Sequence, residues 1–178
     1  MKTIIIGLVA LIFLAAGIVG AEEFDFRQTR WGMSPNEVRK SETETAPFAD
    51  MEGVLSYQGT IGGVGAVIFY LFQDNRLERG VYSIEPVDPG DVIGDYQAVR
   101  SFLFELHGQP PVEKLNLEDV EEAENLDPAD LDELLKLVLA KAAAPMTYWE
   151  TESTEIYLRL DEKDGRGTIQ VDYISRDR

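Results

Sequence analysis

Between Glu155 and Ser175 the chain alternates apolar and polar residues with a period of two. Ile156, Leu158 and Leu160 stand against Tyr157, Arg159 and Asp161, and Ile169, Val171 and Tyr173 alternate with polar neighbours. Only an extended backbone sends successive side chains to opposite sides. A helix would scatter these apolar residues around its circumference. The segment therefore predicts two antiparallel strands turned at Asp164-Gly165, with one buried and one wet face. The rest of the chain has to supply a cover for the buried face.

Similar signals occur earlier. Val54 to Gly59, Val64 to Gln73 and Arg76 to Glu85 read as strands, with turns at Gly62-Gly63 and Asp74-Asn75. Val64 to Gln73 lacks polar alternation, so either both its faces are covered or one is an exposed adhesive surface. Met146 to Thr151 reads as a further strand. Ser34-Pro35-Asn36-Glu37 opens a short helix with a capping residue, a proline at its first position and a capping-box glutamate. A second helix runs from about Asp91 to His107, with Ile93, Tyr96, Val99, Phe102, Leu103 and Leu106 on one face. Asp127-Pro128 opens a third, striped by Leu131, Leu134, Leu135, Val138, Leu139 and Ala142 and ended by Pro145.

This order reads as one unit used twice. The pairs Ser56-Tyr57 and Thr147-Tyr148 mark equivalent first strands. Their offset exceeds that of the helix starts, Ser34 and Asp91, by the length of Val112 to Pro145. The expectation is an α+β fold of tandem helix-plus-antiparallel-sheet units, two copies of helix and three strands. Residues 22–87 form the first and 88–178 the second, with an acidic helical insertion at 112–145. Trp31 is expected to seat the first helix on its sheet.

Residues 1–21 read as a signal peptide: Lys2, an apolar run and the small residues Val19-Gly20-Ala21. Cleavage after Ala21 predicts an exported protein, periplasmic or extracellular, and retention would leave a membrane anchor. The sequence has no cysteine. That excludes disulfides, thiol chemistry, zinc-thiolate sites and a lipoprotein lipid attachment. Net charge is -17, which disfavours nucleic acid and anionic lipid surfaces and suits solubility or a basic partner.

Catalytic motifs are absent: there is no Gly-x-Ser-x-Gly, His-Glu-x-x-His or Ser-x-x-Lys. The single histidine, His107, sits where a helix C-terminus favours its charge. Gly59, Gly62, Gly63 and Gly65 precede a strand and have no lysine nearby, which predicts a hairpin rather than a phosphate loop. Asp161 to Gly165 fails the calcium-loop spacing at Lys163 and Gly165. The run Glu118 to Glu124 reads as a solvated charged face. No catalytic, cofactor-binding or metal-binding residue is assigned, and no small-molecule ligand is identifiable. The candidate partner-binding aromatics are Tyr57, Phe69, Tyr82, Tyr148 and Trp149, with core burial as the alternative.

Trp31-Gly32-Met33-Ser34-Pro35-Asn36-Glu37-Val38 resembles the opening of a group of uncharacterised exported bacterial proteins. Their pattern is similar to the tandem helix-plus-sheet fold of beta-lactamase-inhibitor-like proteins, and the single unit resembles the small lipoprotein of the barrel-assembly machinery. The chain departs in lacking the lipoprotein cysteine and in its acidic insertion, and no inhibitory residue carries over. The functional expectation is a non-enzymatic protein-binding module of the envelope or secreted fraction, recognising a protein with a basic surface. A carboxylate-dependent hydrolase and a structural or cation-binding envelope protein are the alternatives.

Overall fold

The computed structural model describes residues 24–43, 47–85, 91–108, 110, 112–117, 143–163 and 166–177, with backbone alone for 112–117, 143–145 and 163. Helix α1 spans Pro35–Ser41 and α2 spans Val92–His107. The strands are β1 Ala49–Met51, β2 Val54–Ile61, β3 Val64–Gln73, β4 Arg76–Ile84, β5 Val112–Leu117, β6 Ala143–Glu150, β7 Thr154–Lys163 and β8 Arg166–Ser175. The leader, the acidic run Glu118 to Glu124, the helix expected from Asp127 and the turn Asp164-Gly165 lie outside the described residues.

All eight strands join one antiparallel sheet in the order β1-β2-β3-β4-β8-β7-β6-β5. This corrects the expectation of two separate helix-plus-three-strand units. The finding that overturns it is the pairing of β4 with β8, from Arg79 opposite Ile174 to Ile84 opposite Ile169. Two separate sheets would each present an unpaired edge to water, and joining them removes both edges. The strand count also differs. The three-residue β1 is too short for a periodic signal, and it pairs with Val54–Ser56. Strand β5 occupies the start of the expected helical insertion and pairs along β6 from Val112 opposite Tyr148 to Leu117 opposite Ala143. Pro145, expected to end a helix, stands inside β6 opposite Leu115. The pairing of β6 with β7 begins only at Met146, so the missing N–H of Pro145 interrupts no ladder bond on that side.

Local chemistry explains the elements. The Ser34 hydroxyl accepts from the Glu37 N–H at 3.4 Å, and Glu37 Oε2 accepts from the Ser34 N–H at 2.8 Å, a closed capping box. Gly62 and Gly63 both have positive φ, as do Asp74 and Asn75. Each pair makes the two-residue turn whose twist matches a right-twisted hairpin. Helix α2 buries Val92, Tyr96, Val99 and Leu103 and leaves Phe102 and Leu106 exposed. Its buried stripe is therefore rotated from the expected one.

One sheet face carries the core. Leu55, Tyr57, Ile61, Ile68, Tyr70, Tyr82, Ile84, Trp149, Ile156, Leu158, Leu160, Ile169, Val171 and Tyr173 cluster with Val38 of α1 and with the buried stripe of α2. Phe26 of the entry segment lies over Gly80. A Cβ on Gly80 would fall 2.2 Å from the Phe26 ring. That ring is ringed by Tyr70, Tyr82 and Tyr173 at 5.2, 5.3 and 5.2 Å. Glycine at position 80 thus opens the space for the aromatic plug. Trp31 packs against the core cluster that includes Val38 of α1, and its Nε1–H donates to Thr154 Oγ1 in β7 at 2.9 Å.

Candidate functional site on the open face of the sheet

Antiparallel register decides which side chains share a face. Tyr57, Ile68, Tyr82, Val171, Leu158 and Thr147 are successive cross-strand partners and belong to the helix-covered face. The next row, Ser56, Phe69, Val81, Asp172, Tyr157 and Tyr148, points the other way. The packing of α1, α2 and the entry segment falls on the first face. Among the described residues no helix packs on the second, the open face, where Ser56, Val81 and Asp172 are buried and Phe69, Tyr157 and Tyr148 partly so.

The expected partner-binding aromatics divide between the two faces. Tyr57, Tyr82 and Trp149 are core residues, 1%, 8% and 1% exposed, and are corrected from surface candidates to packing residues. Trp149 stacks edge-on against Phe104 of α2 and donates Nε1–H to the Gly108 carbonyl at 2.9 Å. Phe69 and Tyr148 lie on the open face, both partly buried. Tyr148 sits 5.0 Å, ring to ring, from Tyr157. Its phenol pKa is pushed up to about 12, first by desolvation and then by its hydrogen bond to Glu150.

At the centre of this face lies a group that the sequence reading missed. Asp172 is buried at 1% exposure. Its Oδ1 accepts from Arg79 Nε at 2.9 Å and from Arg79 Nη2, and its Oδ2 accepts from Arg159 Nη2. Gln170 Nε2 donates to both oxygens at 3.0 Å. The carboxylate ties three adjacent strands, β4, β8 and β7. Burying it is tolerable because these donors replace its water. The guanidinium side chains stay 37% and 36% exposed. Arg159 Nε is shielded from water and has no acceptor among the described residues. Apolar side chains flank the triad: Val67, Phe69, Leu71 and Val81 toward β3 and β4, and Tyr157, Tyr148 and Met146 toward β7 and β6.

The other buried carboxylate among the described residues belongs to Glu42, on the covered side. Its oxygens accept from Arg27 Nε at 2.7 Å, Arg27 Nη2 at 3.1 Å and the Tyr70 hydroxyl. Burial and then the Glu42 contact raise the Tyr70 pKa, so the phenol remains a donor. This cluster pins the entry segment and the end of α1 to β3. The sheet separates Glu42 from Asp172, so they form no carboxylate pair of the kind that splits glycosidic bonds. A polar cleft of about 380 Å³ lies between α1 and β1, lined by Asn36, Asp50, Glu52 and Asn75. Within it Arg39 bridges Asp50 at 2.7 Å. Among the described residues no group of three or more His, Cys, Asp or Glu side chains could hold a metal ion.

Among the described residues, fold and site define an α+β protein whose single sheet packs α1, α2 and the entry segment on one face and carries an Arg-Asp-Arg triad among aromatics on the other. No family model, curated protein or solved structure matches the chain.

Proposed function

We propose that this is an exported, non-enzymatic protein that binds another envelope or secreted protein through the open face of its sheet. The observation that carries this reading is the open face itself. Phe69, Leu71, Val67, Tyr157 and Tyr148 stand together there, only partly buried, around a polar centre that is already hydrogen-bonded. Apolar area with aromatic anchors and arginines is the composition of a binding patch. The acidic surface, at net charge -17, speeds encounter with a partner of net positive charge. Export rests on residues 1–21 and their signal-peptide pattern.

Site-specific photocrosslinking tests the reading. A photoreactive side chain at position 69 or 148, in the full chain expressed with its leader, is expected to capture a discrete envelope protein. The same group at the exposed Glu105 position of α2 is expected to capture none. Equal capture from both faces, or none from positions 69 and 148, would sink the open-face assignment.

A further inference from the structure

The central triad of the open face is unbalanced. Two guanidiniums share one carboxylate, in a chain whose net charge is -17. Asp172 is saturated by donors from Arg79, Arg159 and Gln170. The arginines are not saturated in return. A guanidinium offers five N–H donors, and Asp172 uses only those on one side of each fork. Both side chains remain more than a third exposed. Asp172 also fixes the forks in place, so a second anion would meet donors already oriented.

We infer that Arg79 and Arg159 together receive one carboxylate side chain, an Asp or Glu, from the protein that docks on the open face. This rests on the open-face reading above and adds the chemistry of the partner's central residue. Charge complementarity favours it: the triad carries a net positive charge that one further carboxylate neutralises. The surroundings favour a peptide carboxylate over a free ion. Phe69 stands on one side of Asp172 in its cross-strand row, beyond the buried Val81, and Tyr157 and Tyr148 on the other, so residues flanking the carboxylate meet the partly buried Phe69, Tyr157 and Tyr148 rings. A partner basic overall can present one such side chain. At physiological ionic strength charges beyond about 8 Å are screened, so contact is decided by the arginines and approach by the whole surface.

The test uses the full chain and two capped probes, acetyl-Phe-Glu-Phe-amide and its Gln counterpart. NMR follows the Arg79 and Arg159 Nε–H signals and the Phe69 and Tyr157 rings. The Glu probe is expected to shift both arginine signals saturably and to bind roughly tenfold tighter than the Gln probe, as charge-assisted hydrogen bonds require. Arg159→Gln is expected to erase that preference, and Arg79→Lys to weaken it while keeping the charge. A dispersed spectrum of each variant shows that it is folded. Equal binding of the two probes, with Phe69 and Tyr157 shifted, would overturn the carboxylate inference alone. No shift with either probe would overturn the open-face reading with it. Inorganic phosphate binding tighter than the Glu probe would overturn the assignment to a protein carboxylate.

Discussion

The two faces of this sheet are built from the same strands and solve opposite problems. The covered face is an aromatic and aliphatic layer in which Phe26, Tyr70, Tyr82 and Tyr173 interlock around Gly80, with its buried carboxylate, Glu42, at the margin beside Arg27. The open face puts a buried carboxylate at its centre and holds it with two half-exposed arginines. Stability is concentrated on the first, where apolar area leaves water. The second leaves Phe69, Leu71, Tyr148 and Tyr157 only partly buried and keeps oriented donors beside them. Alternation along one strand therefore separates the packed core from the face proposed for binding.

The sharpest way to break this comparison is Trp149→Ala on the covered face. It removes a fully buried ring, its contact with Phe104 and its hydrogen bond to Gly108. Urea denaturation is expected to show a loss of about 3–5 kcal/mol, and a loss below about 1 kcal/mol would mean that the core is elsewhere. Next comes Gly80→Ala. The added methyl meets the Phe26 ring, and overpacking of this kind costs about 1–3 kcal/mol in the same measurement.

Asp172→Asn sharpens the contrast from the other side. It leaves two arginines around a neutral amide. The exposure of both guanidiniums limits the cost to about 1–2 kcal/mol. A loss as large as that of Trp149→Ala would make the triad a folding element first. Phe69→Thr is expected to change stability by about 1 kcal/mol or less and to abolish photocrosslinking from position 148. An unchanged crosslink would remove Phe69 from the patch.

The smallest effect expected is a pH dependence at His107. Its ring nitrogen lies 3.2 Å from the Tyr173 hydroxyl, and burial lowers its pKa below 6.5. The unfolded chain then binds the proton more readily than the folded one between the lowered value and pH 6.5. This contribution is present above pH 6.5 and is lost as pH falls through the folded value. Denaturation midpoints are expected to decline on acidification through that window, and His107→Gln to flatten the decline. A slope unchanged by the substitution would sink the linkage.

Local signals carried much of this architecture. The Ser34 capping box, the Gly62-Gly63 and Asp74-Asn75 turns and the strands they join were legible because each depends on a few adjacent residues. Strand β5 was not legible: the neighbouring prolines and acidic run outweigh the short alternation of Leu115 and Leu117 with Lys114 and Asn116, and residues 112–117 read as part of a helical insertion. Half of the triad was legible. The register of β7 with β8 puts Asp172 opposite Tyr157, two residues along the strand from Arg159. Arg79 was not, because it reaches Asp172 only through the pairing of β4 with β8.

The sequence by itself determined α1, α2, most of the strands and their hairpin turns, the period-two division of β7 and β8 into an inner and an outer set, and the absence of thiol chemistry. Tertiary structure alone decided that the halves share one sheet, that Tyr57, Tyr82 and Trp149 belong inside, and that Arg79, Asp172 and Arg159 meet. The reason is range. Caps, turns and alternation are settled within a few residues, whereas strand order and facing depend on which edges find one another across the whole chain.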